Sequence, residues 1–304
     1  MMPGLNDCFL KKKFSGNLRN KLVFTVLLIV FPCFSYECQA KKIQMKCITL
    51  NLRFDNKEDG INKWDNRKER VSQFLNDEAA DVICLQEVLN RQLNDLDGTL
   101  DGYAHVGVGR DDGKTRGEYA PIFYKNKKYE NLEEGTFWLS EHPDSVGSVG
   151  WDARLPRIAT WIKLKDKKTG RLFVVINTHF DHIGRKARQQ SAELIKNWIY
   201  ENVNHLPVIL AGDLNVTEKS EAYKSLTAED SPLADVSKVC KKKEGVNYSF
   251  HNFCRTSSIL RSKIDYIFVS RDAKVKSVYI PYEDPIEGMY LSDHNPIIAH
   301  ILIR

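Results

Sequence analysis

The chain has 304 residues, of which 42% are hydrophobic, 28% charged and 10% aromatic, and its formal net charge is +5. This composition is that of a globular protein and excludes the disordered, collagen-like and fibrous classes. Residues 1–40 hold five basic and two acidic residues, so the remainder has a net charge of only +2. That small charge argues against a strongly basic nucleic-acid footprint over the whole folded body.

The first forty residues have the order of a secretory signal peptide. Basic residues between Lys11 and Lys21 precede an apolar run of 13 residues at 22–34, and Cys38-Gln39-Ala40 is small at its first and third positions. This order predicts cleavage after Ala40 and a secreted or periplasmic location. The apolar run is short for a bilayer span, which needs about 20 residues. An uncleaved membrane anchor is the alternative.

The cysteines do not form a disulfide framework. Three of the seven lie in the leader, and Cys47 and Cys84 lie in apolar runs, which predicts buried thiols. Cys240 and Cys254 flank a polar, turn-rich stretch and could pair in an oxidising compartment. The sequence has no close cysteine–histidine spacing that would indicate zinc.

Residues 41–304 show no repeat, low-complexity linker or Pro/Ser-rich break, and we interpret them as one domain. Apolar and alternating runs predict strands, in chain order, at residues 43–52, 82–86, 103–108, 120–124, 136–139, 157–165, 171–178, 207–211, 264–269, 275–280 and 296–303. Helical spacing predicts helices at residues 65–80, 89–100 and 185–203. Strands outnumber helices, which favours sheets packed on each other with helices outside.

Polar residues recur where the apolar strands end, which is where open sheets place their sites. They are Asn51, Glu87, His179, His182, Asp213, Asn215, Asp265, Asp293 and His294. Each alone is usually a turn or solvated residue, but Asp265 interrupts an apolar run and must be paired to be tolerated there. Together they predict metal-assisted phosphoester hydrolysis, in which carboxylates hold a cation and amide and imidazole groups stabilise phosphoryl charge.

A set of short motifs resembles the deoxyribonuclease I-like endonuclease/exonuclease/phosphatase family. In chain order they are Thr49-Leu50-Asn51-Leu52-Arg53, Gln86-Glu87, Asn177-Thr178-His179, Gly212-Asp213-Leu214-Asn215, Ile264-Asp265-Tyr266 and Ser292-Asp293-His294-Asn295-Pro296. The resemblance runs from about residue 43 to residue 304 and indicates a secreted, bacterial-type member. It implies an α+β fold, a four-layer α/β/β/α sandwich of two packed, mainly antiparallel mixed sheets flanked by helices. The catalytic domain would be residues 41–304.

The resemblance also implies a cation site. Glu87 would be the principal Mg²⁺ ligand, with Asn51 near the metal and Asp293 beside the site; Mn²⁺ could replace Mg²⁺. Asp213 would orient or activate the water that attacks the phosphorus.

The remaining catalytic residues follow from the same resemblance. Asn215 would contact the phosphate. His294 would bind the phosphate or transfer a proton, with Asp265 as its carboxylate partner. His179 is similar to the second histidine of the deoxyribonuclease I and sphingomyelinase branches, and Glu118 could be the carboxylate that orients it.

Two further residues are candidates for substrate binding. Arg157 matches a position where relatives use an arginine near the phosphate; the alternative is a surface charge on a hairpin. The long polar segment at residues 53–67 follows Asn51 and is expected to line the pocket, with Trp64 as a stacking platform. The alternative there is a solvated loop with Trp64 packed on the core.

The leading interpretation is a secreted Mg²⁺-dependent phosphodiesterase, nuclease-like, that uses in-line attack by water. A phosphomonoesterase on a sugar or inositol phosphate is the alternative, which a compact, closed pocket would favour. A catalytically idle binding module is disfavoured because no acidic or imidazole position is missing. The substrate would be a nucleic acid, a lipid head group or a sugar phosphate. No obligate protein partner is evident, and a membrane would be a partner only with an uncleaved leader.

Overall fold

The computed structural model describes residues 42–282 and 285–303. The predicted signal peptide and its cleavage site lie outside this part of the chain. Its strands are β1 (Ile43–Asn51), β2 (Val82–Gln86), β3 (Tyr103–Val106), β4 (Ile122–Lys125), β5 (Tyr129–Trp138), β6 (Ile158–Asp166), β7 (Leu172–His179), β8 (Val208–Asp213), β9 (Leu233–Asp235), β10 (Lys242–Gly245), β11 (Asp265–Ser270), β12 (Lys274–Ile280) and β13 (Ile297–Ile303). Its α-helices are α1 (Trp64–Glu78), α2 (Asn90–Asp97), α3 (Arg185–Asn202), α4 (Glu221–Thr227) and α5 (Val236–Val239), and 3-10 helices lie at Lys57–Asn62 and Ser258–Leu260.

The strands form two mixed sheets. The first has the order β10-β12-β13-β1-β2-β4-β3 and the second the order β5-β6-β7-β8-β11-β9. Parallel pairing occurs between β1 and β2, between β10 and β12 and between β7 and β8, and the other described neighbours are antiparallel. The predicted pair of mainly antiparallel mixed sheets is therefore confirmed.

The alternation of side chains along β1 shows how the layers stack. Met45 and Cys47 point into the apolar core between the two sheets, whereas Ile48 and Leu50 point to the opposite face and pack with α1 and α2. Helix α3 covers the outer face of the second sheet. Because successive side chains of a strand face opposite ways, each central strand can be buried on both sides, and the result is the α/β/β/α sandwich that the sequence predicts.

A buried amide pair links the two sheets directly. Gln86, at the end of β2, donates from Nε2 to Oδ1 of Asn177 on β7 at 2.7 Å. Asn177 in turn donates from Nδ2 to the carbonyl oxygens of Leu85 at 2.7 Å and Pro121 at 2.9 Å. Both amides are fully buried, so an unmade bond here would cost about 1–3 kcal/mol. The pair fixes how the end of the first sheet sits over the end of the second.

Some predicted elements differ from those observed. The predicted strand at residues 136–139 is the end of the longer β5, and α4, α5, β9 and β10 were not predicted. Strand β10 is exposed along its whole length, so it has no apolar pattern to recognise, and α5 and β9 are only four and three residues long. Cys47 and Cys84 are buried as predicted. Cys240 and Cys254 are free thiols, so the disulfide considered for them is not present.

No helix in residues 42–282 or 285–303 is long and apolar enough to cross a membrane.

Candidate active site

The polar residues at the strand ends meet at one edge of the sandwich. Asn51 lies beside Gln86 at the end of the parallel pair β1 and β2, and Asp213 lies opposite Asp265 in the pair β8 and β11. A cleft of about 430 Å³ opens at this edge. It is lined by Arg53, Phe54, Glu87, Glu118, Leu155, Arg157, His179, His182, Asn215, Phe250, Asn252 and Asp293. Asn51, Asp213, Asp265 and His294 are buried one layer beneath the lining residues.

Asn51 joins carboxylates that belong to different sheets. Its Nδ2 donates to Oε1 of Glu87 at 3.1 Å and to Oδ2 of Asp213 at 3.0 Å. Its Oδ1 accepts from the backbone N–H of Arg53 at 2.9 Å. Glu87 follows β2 with a left-handed φ of 59°, and its Oε2 accepts from the N–H of Phe54 at 3.1 Å. Asn51 is thus close to the predicted metal ligand Glu87 and holds it in place through its amide nitrogen.

His294 and Asp265 form a buried charged pair. Nδ1 of His294 lies 2.8 Å from Oδ2 of Asp265, and its Nε2 lies 3.8 Å from Oδ2 of Asp213. Burial opposes a charge on this imidazole, but the two carboxylates outweigh burial and raise the pKa of His294 to about 10. Burial and the charge of Asp265 raise the pKa of Asp213. The predicted pairing of His294 with Asp265 is what the structure shows.

His179 has the opposite character. Burial and the nearby Arg157 lower the pKa of its imidazole to about 3, so the ring is neutral. Nδ1 accepts from Nη1 of Arg157 at 3.0 Å. Nε2 lies 3.1 Å from Nδ2 of Asn215 and 3.6 Å from Oδ2 of Asp213. The ring is therefore held between Arg157 on one side and Asn215 and Asp213 on the other.

The partner of His179 differs from the expectation. Glu118 was expected to orient this histidine, and its Oε2 does lie 3.6 Å from Nδ1. The hydrogen bond at Nδ1 is made instead by Arg157, while Glu118 accepts from Nη1 of Arg110 at 2.5 Å. The guanidinium groups of Arg110 and Arg157 both lie near the carboxylate of Glu118, and it is Arg157 that donates to the imidazole. Glu118 is therefore linked to His179 through Arg157 and makes no hydrogen bond to the ring.

Arg157 lies in the wall of the cleft and only 4% of it is exposed. The alternative of a surface hairpin charge is thereby excluded. Its Nη2 donates to Nδ1 of His182 at 3.0 Å, and its Nε lies 3.6 Å from Oδ2 of Asp181. Burial lowers the pKa of this guanidinium, although the neighbouring carboxylates oppose the effect. A buried arginine with a planar donor set, facing a cleft, suits a tetrahedral oxyanion.

Asn215 lines the cleft on the side of the second sheet. It has a left-handed φ of 50°, and its Nδ2 donates to the carbonyl oxygen of Phe180 at 3.0 Å. Its backbone N–H donates to Oδ1 of Asp213 at 2.9 Å. The side chain is held beside His179 and Asp213 in the wall of the cleft, and its contact with phosphate stays a prediction.

Trp64 does not lie in the site, and its expected role as a stacking platform is wrong. Its side chain is 0% exposed, it begins α1, and its Nε1 donates to Oδ2 of Asp95 at 2.8 Å. The polar segment at residues 53–67 is partly helical, with Lys57–Asn62 as a 3-10 helix and α1 after it. The indole packs with the apolar core because that core offers more buried area than a solvated loop.

Replacing Trp64 by alanine should therefore act on stability. We expect the free energy of unfolding to fall by about 3–5 kcal/mol, the usual cost of truncating a buried aromatic ring, with KM of the folded enzyme unchanged. Urea unfolding followed by circular dichroism measures the first quantity and initial-rate kinetics the second. The conservative variant Trp64→Phe should lose much less stability. A rise in KM without loss of stability would instead show that Trp64 contacts the substrate.

Arg67 supports the site and was not predicted. It is fully buried, and its guanidinium donates to the carbonyl oxygens of Asn62, Leu52, Leu291 and Arg53 at 2.7, 2.7, 2.5 and 2.8 Å. Burial lowers its pKa to about 10. It ties the chain that leaves β1 to the segment before Ser292. Its helical spacing from the buried Trp64 was the available signal for its burial.

The loop that carries Asn252 is conformationally strained. Asn252, Phe253 and Cys254 are three consecutive residues with left-handed φ of 52°, 50° and 57°. Such a conformation costs about 1–2 kcal/mol per residue without a glycine. The N–H groups of His251 and Asn252 both donate to the carbonyl oxygen of Asp293 at 3.0 Å. The strained loop is therefore fastened to the backbone of a predicted metal-site residue.

Comparison with known proteins identifies the class. Residues 48–294 match the model of the Endonuclease/Exonuclease/phosphatase family. The chain belongs to this family, whose members are phosphoester hydrolases such as nucleases and phosphatases and generally depend on a divalent metal ion. The protein is thus an enzyme that hydrolyses phosphoester bonds.

Several relatives cover nearly the same residues. An endonuclease/exonuclease/phosphatase from Bacteroides vulgatus is 48% identical, with a TM-score of 0.83 over 86% of this chain and 100% of that one. A mannosyl-6-phosphatase of Bacteroides thetaiotaomicron is 38% identical, with a TM-score of 0.79 over 84% of this chain and 99% of that one. An uncharacterized protein of Acanthamoeba polyphaga mimivirus is 28% identical in an alignment 271 residues long that covers 84% of this chain and 98% of that protein.

Proposed function

We propose that this enzyme is a secreted, Mg²⁺-dependent phosphomonoesterase that acts on a phosphorylated sugar. The observation that carries the proposal is the cleft, whose volume of about 430 Å³ lies within the roughly 300–1,000 Å³ of small-molecule sites. The likeness to a mannosyl-6-phosphatase at 38% identity supports the same substrate class. The sequence-based preference for a diester rested on motifs that both reactions share, and the small volume of the cleft supports the monoester alternative.

The donor groups of the cleft suit a magnesium ion. Glu87 and Asp293 both place carboxylates in its lining, and hard oxygen ligands are those that Mg²⁺ and Mn²⁺ prefer. A bound cation would neutralise charge on the phosphate. The ligand atoms of Asp213, Asp265 and His294 also lie within 4.8 Å of one another. Because the pKa of His294 is raised to about 10, its ring is protonated, and we place the cation at Glu87 and Asp293 instead.

The protein's own groups would then divide the reaction among them. The carboxylate of Asp213, with a raised pKa, would align the water and accept its proton as the phosphorus is attacked. The imidazolium of His294 and the neutral ring of His179 flank Asp213, and their N–H groups would stabilise the phosphoryl oxygens. Arg157 and Asn215, which line the cleft beside His179, would also hold the phosphate.

A comparison of three substrates tests the proposal. The purified protein is assayed with mannose 6-phosphate, p-nitrophenyl phosphate and bis(p-nitrophenyl) phosphate, each with Mg²⁺ and with EDTA, and with Glu87→Gln as a blank. We expect EDTA-sensitive release of phosphate from the two monoesters, with kcat/KM for mannose 6-phosphate at least about 10²-fold above that for the diester, equivalent to about 3 kcal/mol. A preference for the diester would overturn the monoesterase assignment.

The location is proposed from the leader alone. Residues 1–40 have the order of a signal peptide, and the mature protein would begin at Lys41. N-terminal sequencing of the protein recovered from its native compartment tests this, and an intact leader on membrane-bound protein would overturn it.

A further inference from the structure

A second, basic groove adjoins the catalytic cleft. It has a volume of about 370 Å³ and lies between the start of α3 and the loop that joins β8 to α4. Arg185 and Arg188 line it from α3, and Thr217 and Lys219 line it from the loop. Asn215 lines both the groove and the cleft. A molecule whose phosphate lies beside Asn215 can therefore extend into the groove.

The charges of the groove are unbalanced. Arg185, Arg188 and Lys219 contribute three positive charges. Glu221 is the one carboxylate among the described lining residues. Its Oε1 lies 2.7 Å from Nζ of Lys224, a residue that does not line the groove. Like charges in a concave surface raise the local potential for an incoming anion. The groove is thus electrostatically suited to a negatively charged group.

The exposed side chains of Arg185 and Lys219 are free to bind an anion. Within the described part of the chain, the side chains of Arg185 and Lys219 make no ion pair and no hydrogen bond to another residue. Arg188 differs, because its Nη1 donates to the carbonyl oxygen of Asp181 at 3.0 Å. That bond fixes the guanidinium of Arg188 at the junction between the groove and the segment that carries His182.

We propose that this groove binds a second anionic group, a phosphate or a carboxylate, on the sugar whose phosphate is hydrolysed in the cleft. This rests on the proposed function and narrows its substrate to sugar phosphates that carry a further negative charge. Binding there would raise the affinity for the whole substrate while the chemistry at Asp213 stays the same. The groove therefore determines specificity, and it contributes through KM more than through kcat.

The test removes two charges from the groove and compares substrates. The variant Arg185→Ala with Lys219→Ala is set against a control, Lys168→Ala with Lys186→Ala, which removes the same charge outside the groove. Substrates are glucose 1,6-bisphosphate, 6-phosphogluconate, glucose 6-phosphate and p-nitrophenyl phosphate. We expect the groove variant to lose about 10- to 100-fold in kcat/KM on the first two, mainly in KM, and less than about 2-fold on p-nitrophenyl phosphate. The control should change none of them by more than about 2-fold.

The two anionic substrates separate the sources of the second charge. A loss confined to the bisphosphate assigns a phosphate to the groove, and a loss confined to 6-phosphogluconate assigns a carboxylate. An equal loss on all four substrates would mean that the cations only raise the general potential, and it would overturn the proposal. An unchanged kcat/KM on all four would overturn it as well.

A binding experiment separates this proposal from the proposed function. Glucose 1,6-bisphosphate is titrated by calorimetry into Asp213→Asn, with and without the groove substitutions. Tighter binding with the groove intact, in an enzyme that hydrolyses no monoester, would support the groove and overturn the monoesterase. Hydrolysis of glucose 6-phosphate with equal binding by both proteins would overturn the groove and support the monoesterase.

Discussion

Replacing His294 by alanine should lower kcat by about 10²- to 10⁴-fold, the usual contribution of a positioned acid–base or charge-stabilising group. His294 is a buried cation whose Nδ1 is held by Asp265 and whose Nε2 lies 3.8 Å from Asp213. Its loss removes the positive charge beside Asp213, which in the proposed mechanism stabilises the phosphoryl oxygens. Steady-state kinetics with p-nitrophenyl phosphate measures the effect.

The same substitution leaves Asp265 buried without its partner, so stability must be measured as well. Breaking a buried ion pair costs about 3–5 kcal/mol, and the rate is therefore normalised to the folded fraction found by circular dichroism. Asp265→Asn keeps a hydrogen-bonding group beside His294 and should lose less activity than His294→Ala. His300→Ala is the matched control, because His300 lies on β13, exposed and away from the cleft. If folded His294→Ala turned over within a few-fold of the parent protein, the role given to His294 would be wrong.

Replacing Glu87 by glutamine should weaken Mg²⁺ binding and activity together. Glu87 contributes a carboxylate to the cleft and is held by Asn51 and by the N–H of Phe54. Glutamine keeps the shape and one acceptor oxygen but loses the charge that a hard cation requires. We expect a loss of at least about 10²-fold in both Mg²⁺ affinity and kcat/KM, since even residues that only orient metal ligands contribute about 10- to 100-fold.

Two measurements make this prediction specific. Calorimetric titration with MgCl₂ reports binding without turnover, and initial rates at increasing Mg²⁺ show how far excess metal restores activity. Glu130→Gln serves as the control, because Glu130 is an exposed glutamate of β5 paired with Lys165 at 3.4 Å. Unchanged Mg²⁺ affinity in Glu87→Gln would show that Glu87 is not a metal ligand. The cation site would then be assigned to the cluster formed by Asp213, Asp265 and His294.

The apolar strands predict packed sheets with helices outside, and the family resemblance implies the four-layer sandwich. Asp265 could be recognised as paired because a lone carboxylate in such a strand is too costly to bury, and its partner is indeed His294. Trp64 could not be placed in this way, since an indole suits a core and a stacking surface equally well. Its burial depends on α1, which begins at Trp64 itself, one residue before the predicted start at residue 65.

The partner of His179 shows a second limit. The family resemblance relates His179 to Glu118, but the observed contacts are set by Arg110 and Arg157, which reach the same carboxylate from different parts of the chain. Pairwise motifs do not describe a competition among four charged or polar groups. The choice depends on distances of a few tenths of an ångström, which only the folded chain fixes.

The order of strands divides the chemistry along the chain in an unusual way. Residues 43–125 supply β1 to β4 of the first sheet, together with Asn51 and Glu87, and the turn at 126–128 leads to β5 of the second sheet. His179, Asp213, Asp265 and His294 all follow that turn. A polypeptide divided at this turn would yield two fragments, one with the proposed metal ligand Glu87 and one with Asp293 and the proposed acid–base groups. Because β1 pairs with β13, the two fragments would have to reassemble before they could hydrolyse substrate. Phosphatase activity would then measure how well the fragments associate.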